Sequence, residues 1–134
     1  MLSTDDFVDL QRLVWLYTHV IDDRCYSRAS EVFTEDGIFD ATAVGGARLQ
    51  GLADLVAYWR RGSDETLIHL ASNIVARGQA DGTARISSRS LVTLRSGAVS
   101  NAVYEDVARR TSQGWRIAER RVAVRGPDFI PTES

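Results

Sequence analysis

The spacing of apolar residues along the chain changes near residue 66. Before that point apolar residues recur at every third or fourth position, which is the spacing of one face of an α-helix. After it they mostly alternate with polar residues, as in a β-strand with one buried face. The pattern therefore predicts helices in the first half of the chain and a run of strands in the second.

A first helix is predicted from its capping residues and its apolar face. Ser3 and Thr4 are residue types that cap helix N-termini, and Asp5 and Asp6 suit a first helical turn. Apolar side chains then follow at helical spacing, namely Phe7, Leu10, Val14, Tyr17 and Ile21. The helix is therefore amphipathic, with one face prepared for burial.

Two further helices and a short hairpin are predicted before residue 66. A short second helix is predicted over residues 28–33, followed by a strand over "IFDATAV", a "GG" turn and a returning segment "ARLQG". The third helix covers "LADLVAYWRRG", because Leu52, Leu55, Val56 and Trp59 share one side and Gly62 stands at a C-terminal stop position.

Four long strands are predicted after residue 66. They are separated by short turns that include "DG" and "RSG", which favour an antiparallel meander. The strands run through the segments "TLIHLASNIVARGQA", "TARISSRSLVTL", "AVSNAVYEDVARR" and "GWRIAERRVAV". The tail "GPDFIPTES" holds both prolines and is predicted to leave the sheet.

Helices followed by long antiparallel strands specify an α+β fold. We predict a cone-shaped barrel made of a strongly curved mixed or antiparallel sheet, packed against three N-terminal helices and enclosing a cavity. The length of 134 residues is typical of one domain, so the prediction is a single domain over residues 1–134 with a C-terminal tail from about residue 126.

Composition excludes several classes of function. The chain is 44% hydrophobic and 25% charged, which is typical of a soluble globular protein, and no apolar run approaches the ~20 residues of a membrane span. The net charge of −2, without a long basic block, argues against a nucleic-acid partner. The N-terminus lacks the pattern of a signal peptide, so a cytoplasmic location is predicted. With Cys25, His19 and His69 as the sole cysteine and histidines, no metal site is predicted.

The strand that begins near Thr66 carries two polar residues in an apolar context. Strict alternation places His69, Ala71 and Asn73 on one face of this strand. Burying a polar group without a partner costs roughly 2–7 kcal/mol, so both polar side chains need partners or a wet cavity. The small Ala71 side chain between them leaves room for such a cavity.

The end of the first helix offers partners for His69. The segment "YTHVIDDR" supplies Tyr17 and Asp22, and a carboxylate bonded to one imidazole nitrogen makes the other nitrogen a better general base. On an ideal helix these two side chains point about 140° apart, so both reach one pocket only if the helix ends or bends near Asp22. The alternative makes Tyr17 a core aromatic and Asp22 an exposed partner of an arginine, and the spacing leaves both readings open.

The order of these motifs resembles a known family. Tyr17 and Asp22, the segment "VFTEDGIFD", Gly51 before a helix, His69 and Asn73, and the final "YED…GWRIAERRV" are similar to the SnoaL-like members of the nuclear transport factor two-like superfamily. The resemblance covers about residues 5 to 125. It implies an α+β cone with a deep apolar cavity, no cofactor, and assembly into homodimers or homotrimers.

The resemblance also implies roles for individual residues. The superfamily includes scytalone dehydratase, a bile-acid dehydratase, ketosteroid isomerase, polyketide cyclases, small subunits of ring-hydroxylating dioxygenases and proteins without catalytic activity. In its eliminating members an aspartate late in the first helix pairs with a histidine on the first long strand, and these positions match Asp22 and His69. A tyrosine that acts in the bile-acid dehydratase matches Tyr17.

Other residues are candidates for contacts with a substrate. Arg120 and Arg121 lie on opposite faces of the last strand, so one of them can face inward, and Arg121 is predicted as an anchor for an anion or carbonyl. Tyr104 shares a strand face with Asp106. Ordinary packing or surface exposure is the alternative for each. The predicted substrate contacts are Asn73, Tyr104, Trp59, Phe39 and Arg121, and Trp15 is a further candidate for the cavity wall.

The leading functional hypothesis is a cofactor-independent lyase or isomerase acting on a small hydrophobic cyclic carbonyl compound. Asp22 would orient His69 as the base, and Tyr17 would act as the acid or oxyanion stabiliser. One alternative is a non-catalytic protein that binds an apolar small molecule. Another is a partner subunit of a ring-hydroxylating oxygenase, with side chains filling the cavity.

Overall fold

The fold begins with a helix whose N-terminus is capped by a reciprocal pair of hydrogen bonds. In a computed structural model, which describes residues 1–62 and 64–132, helix α1 spans Thr4–Asp22. The Ser3 hydroxyl accepts a hydrogen bond from the Asp6 amide at 3.1 Å, and the Asp6 carboxylate accepts one from the Ser3 amide at 2.8 Å. The predicted first helix is therefore present, and of its predicted apolar face Leu10, Val14 and Tyr17 are buried, whereas Phe7 is 41% exposed.

The segment between α1 and the long strands is less regular than predicted. The second predicted helix is a 3-10 helix over Tyr26–Glu31 instead of a helix over residues 28–33. Strand β1 (Phe33–Asp40) ends before the predicted "IFDATAV" strand does, because Thr42–Val44 forms a 3-10 turn. A short β2 (Arg48–Gln50) then pairs antiparallel with β1, and helix α2 covers Leu52–Gly62.

The predicted four-stranded meander is present. It consists of β3 (Thr66–Gly78), β4 (Ala84–Leu94), β5 (Val99–Thr111) and β6 (Gly114–Ala123). Strand β1 adds to this meander in parallel with β6, which gives a six-stranded mixed sheet in the order β2-β1-β6-β5-β4-β3. The sheet is curled around the helices but not closed, since β2 and β3 are its free edges. None of the helices in the described part of the chain is long and apolar enough to cross a membrane.

β-Bulges in β3 and β6 change which side chains face the interior. In β3 the register with β4 shifts between Thr66 and Ile68 and again between Ser72 and Val75, and Asn73 adopts a left-handed backbone conformation with φ of 53°. The bulge of β6 lies where this strand pairs with β5: Ile117 is opposite Ala108 and Glu119 is opposite Val107, so Ala118 is the extra residue. Each bulge reverses the alternation of the residues that follow it.

The core lies between the two helices and the concave face of the sheet. Aromatic rings from separate elements meet there in edge-to-face contacts, with Tyr17 5.9 Å from Trp59 and 5.7 Å from Tyr104 between ring centroids. Phe33 and Phe39 of β1 complete this cluster. The cluster joins α1, α2 and the sheet, and it forms the inner wall of the site described next.

Candidate functional site

An aspartate and a histidine meet where the end of α1 reaches the edge strand β3. Oδ1 of Asp22 lies 2.6 Å from Nδ1 of His69, and Oδ2 of Asp22 accepts a hydrogen bond from the backbone amide of His69 at 2.9 Å. Their side chains are 15% and 10% exposed, respectively. One carboxylate therefore holds both the backbone and the ring of His69.

This contact determines which tautomer of the His69 imidazole is favoured. A carboxylate accepts hydrogen bonds, so it favours the tautomer of His69 in which Nδ1 carries the proton. The lone pair then lies on Nε2, on the opposite side of the ring. The arrangement is that of a general base oriented by an acid residue.

The termination of α1 brings Asp22 to this position. The helix ends at Asp22, Asp23 is its C-cap, and Arg24 takes a left-handed conformation with φ of 55°. Tyr17 points into the core, whereas Asp22 turns toward β3. Asp22 does not line the inner pocket but contacts it through the His69 ring, so the angle of about 140° between the two side chains is no obstacle.

The first helix also covers part of the free edge of β3. The indole of Trp15 donates a hydrogen bond to the carbonyl oxygen of Ala71 at 3.3 Å, two residues beyond the amide that donates to Asp22. Trp15 is 46% exposed and lies outside the inner pocket, so the prediction that it lines the cavity is wrong. Its role in the fold is to satisfy an edge carbonyl group.

The inner pocket is an apolar space of about 350 Å³ between α1, α2 and the concave face of the sheet. His69, Tyr17, Tyr104, Trp59 and Phe39, which the sequence marks as candidate site residues, all line it. The remaining lining residues are mainly aliphatic or small, namely Ile21, Ala41, Val44, Tyr58, Gly62, Thr66, Val92, Leu94, Ser100, Ala102 and Val122. A larger depression of about 640 Å³ lies elsewhere on the surface and contains none of the predicted site residues.

Strand register gives the pocket an open and a closed end. His69, Val92 and Ser100 lie side by side on β3, β4 and β5. Further along β5, Tyr104 is almost fully buried, whereas Val44, another lining residue of the pocket, is 42% exposed. The pocket is therefore closed at Tyr104 and open at Val44.

A buried ion pair lies behind the closed end of the pocket. Nε and Nη2 of Arg120 donate hydrogen bonds to the two oxygens of Asp106 at 2.8 and 2.7 Å, and both side chains are 0% exposed. The guanidinium carbon of Arg120 also lies 4.2 Å from the ring centroid of Tyr17 and 4.1 Å from that of Tyr104. The cation is thus held between the two tyrosine rings that close the pocket.

Burial and neighbouring charges shift the pKa values of these groups. Burial alone would lower the pKa of Arg120, but the Asp106 carboxylate outweighs burial, and the pKa of Arg120 is raised. Burial raises the pKa of Tyr17 well above its ordinary value, and burial likewise raises the pKa of Tyr104. Arg120 therefore stays charged, and both phenols stay protonated at neutral pH.

Comparison with known proteins identifies the family. A family model described as SnoaL-like domain matches residues 3–121. The chain belongs to the SnoaL-like domain family. A search of functionally curated proteins gave no match.

Solved structures share the fold of this SnoaL-like chain. An NTF2-like protein with a cystatin-like fold from Novosphingobium aromaticivorans is 25% identical, covering 90% of this chain and 82% of that one, with a TM-score of 0.77. Aln2 from a Streptomyces species is 20% identical over 92% and 93% of the two chains, with a TM-score of 0.77. ActVI-ORFA from Streptomyces coelicolor is 17% identical over 90% and 98%, with a TM-score of 0.76.

Two of the predicted substrate contacts lie outside the inner pocket of the SnoaL-like fold. Asn73 lies on the bulge of β3 and is exposed on the outer side of the sheet, so the predicted shared face with His69 is wrong. Arg121 is also exposed, at 71% of its side chain, and pairs with Glu119 at 3.1 Å. The bulge at Ala118 turns Arg120 inward in its place.

Sequence reasoning missed Arg120 and Ser100. Ser100 lines the pocket beside Val92, and its inward position follows from the same alternation that places Tyr104 inward. Arg120 carried a usable signal: Asp106 lies on an inward position of β5, and a buried carboxylate requires a cationic partner. Arg120 and Arg121 were the nearby cations on β6, but the choice between them depends on the bulge.

Proposed function

We propose that this SnoaL-like protein is a cofactor-independent lyase or isomerase acting on a small hydrophobic cyclic carbonyl compound. The observation that carries the proposal is the 2.6 Å contact between Asp22 and the His69 ring at the wall of an apolar pocket. An imidazole placed in this way has an oriented tautomer and an apolar space on its pocket side.

The base in the proposed reaction is His69. Its Nε2 accepts a proton from the carbon next to the substrate carbonyl, and the Asp22 carboxylate stabilises the imidazolium that forms. A positioned general base contributes about 10²–10⁴-fold to the rate of such a step. Loss of a leaving group from the adjacent carbon gives elimination, and return of the proton to another carbon gives isomerisation.

The acid in the proposed reaction is Tyr17. Because burial raises its pKa, the phenol keeps its proton at neutral pH and donates a hydrogen bond to the oxygen that gains negative charge. Tyr104, which also lines the closed end, is the second hydrogen-bond donor available to that oxygen.

Two alternatives use the same fold without this chemistry. A binding protein requires only the apolar pocket, and it does not need a carboxylate that orients the imidazole tautomer. A partner subunit of an oxygenase is expected to have a cone filled by side chains, whereas this cone contains a pocket of about 350 Å³. The Asp22–His69 contact therefore favours catalysis over both alternatives.

The test is proton exchange on a model ketone. We expect the protein to accelerate the exchange of the α-protons of 2-tetralone in D2O, followed by proton NMR. In Asp22→Asn the amide oxygen can still accept the His69 backbone hydrogen bond, but the amide nitrogen faces Nδ1 and favours the opposite tautomer. The exchange rate should fall at least about 100-fold in Asp22→Asn and in His69→Gln.

The matched control is Asp23→Asn, one residue further along. The Asp23 side chain is 66% exposed and lies 3.8 Å from His19, outside the inner pocket. This substitution removes the same charge from the same end of α1 and should leave the exchange rate unchanged. Full exchange activity in folded Asp22→Asn, or the absence of any acceleration by the wild-type protein, would contradict the proposal.

A further inference from the structure

We infer that the outer face of the sheet carries a second binding site, which takes a carboxylate attached to an apolar chain or ring. The site is a groove of about 470 Å³ beside the bulge of β3, on the side of the sheet opposite the inner pocket. It is independent of the proposed function. An apolar floor, two arginines without acidic partners and a free side-chain amide each support it.

Strand alternation builds the floor of this outer groove from side chains that the inner pocket does not use. His69 and Val92 line the inner pocket, whereas their chain neighbours Leu70 and Leu91 line the outer groove. Leu70 is opposite Leu91 in the register, and these side chains are 62% and 54% exposed. Two large apolar side chains thus lie side by side on the outer face, which favours a ligand with an apolar part.

Arg89 provides the first positive charge of the groove. Its Nη1 donates hydrogen bonds of 3.2 Å to the Ser87 hydroxyl and to the backbone carbonyl of Ser88, whereas Nε and Nη2 have no hydrogen-bond partner in the described part of the chain. The Glu105 carboxylate accepts a hydrogen bond from the Ser87 hydroxyl at 2.8 Å instead of pairing with Arg89. Two donors of a half-buried arginine are therefore available to a carboxylate, in the geometry of a bidentate pair.

Arg125 provides the second positive charge, and Asn101 holds it beside the groove. Nδ2 of Asn101 donates a hydrogen bond to the carbonyl oxygen of Arg125 at 2.7 Å, and the Arg125 amide donates one to Oδ1 of Asn101 at 2.9 Å. The guanidinium carbon of Arg125 lies 4.3 Å from the ring centroid of Phe129. None of the described residues that line the groove is an aspartate or glutamate, so its charge favours an anion.

The bulge of β3 adds a hydrogen-bond donor at the same place. Asn73 lines the groove, and its side-chain amide makes no hydrogen bond to another described residue. Its neighbour Ser72 is opposite Arg89 in the register, which puts the bulge next to the first arginine. A φ of 53° is uncommon for a residue other than glycine, and such conformations are concentrated at functional sites. A carboxylate that pairs with Arg89 can therefore also accept a hydrogen bond from Asn73.

The two pockets select ligands of different charge. None of the described residues that line the inner pocket is an arginine, lysine, aspartate or glutamate. A carboxylate placed there would lose its hydration without gaining a cationic partner, which is strongly unfavourable. The outer groove combines exposed leucines with two arginines, so an apolar carboxylate should bind there and not inside the cone.

The test uses compounds that separate the two parts of the ligand. Binding to the isotope-labelled wild-type protein at pH 7.5 is followed by amide NMR titration. The compounds are 4-phenylbutanoate, 4-phenylbutan-1-ol, which keeps the apolar part without the charge, and acetate, which keeps the charge without the apolar part. We expect 4-phenylbutanoate to bind at least about tenfold more tightly than either of the others.

Substitutions test whether the acid binds in the outer groove. Arg89→Met removes one charge, and Arg85→Met is the matched control, because this exposed arginine of the same strand does not line the groove. The dissociation constant for 4-phenylbutanoate should rise at least about tenfold in Arg89→Met and stay unchanged in Arg85→Met. Arg125→Met, at an exposed position, should weaken binding in the same direction. Ala102→Leu, which fills part of the inner pocket, should leave binding unchanged.

The inference is overturned if the alcohol or acetate binds as tightly as the acid, if the acid does not bind, or if Arg89→Met and Arg125→Met, shown by circular dichroism to be folded, bind it like the wild type. Weaker binding in Ala102→Leu alone would place the acid in the inner pocket and would also overturn it. Sedimentation velocity tests the other occupant of this face, a second copy of the chain. A dimer that dissociates in Leu91→Asp, together with no binding of the acid, would assign the face to self-association. None of these outcomes depends on the exchange experiment.

Discussion

Replacing Arg120 with methionine should destabilise the protein severely. The substitution removes two hydrogen bonds of 2.8 and 2.7 Å and leaves the Asp106 carboxylate in a site that is 0% exposed. Breaking a buried ion pair by removing one partner costs about 3–5 kcal/mol. Domains of this kind are stable by only about 5–15 kcal/mol, so a large share of the free energy of unfolding is lost, and the melting temperature should fall by roughly 10–20 °C.

The double variant Arg120→Met, Asp106→Leu separates the charge effect from the loss of packing. It removes both buried charges and replaces them with apolar side chains, so most of the lost stability should return. Urea unfolding followed by tryptophan fluorescence and circular dichroism measures all four members of the mutant cycle. Arg121→Met is the matched control, because this neighbouring side chain is 71% exposed and its pair with Glu119 contributes little.

The pH dependence of the stability of Arg120→Met provides a second test of the effect of the buried charge. Burial raises the pKa of Asp106, and without Arg120 nothing offsets that effect. The folded variant then binds a proton that the unfolded chain releases above about pH 4, so the stability of the variant should fall as pH rises. The variant should therefore be less destabilised at pH 5 than at pH 8.

Two results would refute this reasoning. The first is a single Arg120→Met variant that loses less than about 1 kcal/mol, since the buried carboxylate would then have found another partner or water. The second is a double variant that is no more stable than the single one. That result would assign the loss to the packing of Arg120 between the tyrosine rings instead of to its charge.

Three further predictions concern single side chains. Tyr17→Phe keeps the ring contacts but removes the hydroxyl, so 2-tetralone exchange should fall at least about tenfold while the melting temperature changes little; an unchanged rate would exclude Tyr17 as the acid. The hydrogen bond from the Trp115 indole holds the pKa of the Asp6 carboxyl well below its usual range, so the ionised carboxylate stabilises the fold and this stabilisation is lost as pH falls below about 4. The free energy of unfolding of Asp6→Asn should therefore depend less on pH in this range than that of the wild type. Identical pH dependence of the two proteins would refute this. Asn73→Val places a β-branched residue at a φ of 53° and should cost about 1–2 kcal/mol in urea unfolding without altering exchange; a loss of exchange at full stability would place Asn73 near the ligand.

The hydrophobic pattern was sufficient to predict the architecture. The change of spacing near residue 66 predicted the helices and the meander, because apolar residues recur at every third or fourth position in an amphipathic helix and at every second position in a half-buried strand. The pattern failed in the segment before α2, where the "IFDATAV" strand gives way to the 3-10 turn at Thr42–Val44. Short elements of this kind are set by tertiary packing more than by local periodicity.

The two wrong side-chain placements on the strands, Asn73 and Arg121, share one physical cause. Alternation assumes that each strand residue is paired, and one unpaired residue reverses the faces of all that follow. The bulge at Asn73 exposes a residue predicted to be inward, and the bulge at Ala118 exchanges Arg121 for Arg120. Neither position carries a glycine or proline, the residue types that would indicate a bulge in the sequence. His69 and Ala71 share the inner face because both lie between the register shift at Thr66–Ile68 and the bulge at Asn73.

The Asp22–His69 pair shows what residue spacing along a helix can and cannot establish about a site. A strict helix model sets Tyr17 and Asp22 about 140° apart and argues against a shared site. The structure joins them through a third residue: Tyr17 and His69 line the pocket, and Asp22 contacts the ring of His69 from outside it. The resemblance to the SnoaL-like family pointed to this pair, whereas the angular argument considered only direct access to the pocket.

The contact between Asp22 and the backbone amide of His69 affects how relatives of this protein should be compared. The same carboxylate shields an edge strand whose exposed neighbours include Ile68 and Leu70, at 50% and 62%, and such edges promote association between chains. Selection for solubility alone would therefore retain an aspartate at this position in relatives that had lost catalytic activity. The ring of His69 has no comparable role in protecting the strand edge, because any residue except proline supplies a backbone amide to this aspartate. The histidine, and not the aspartate, is the position at which a change marks the loss of the proposed reaction.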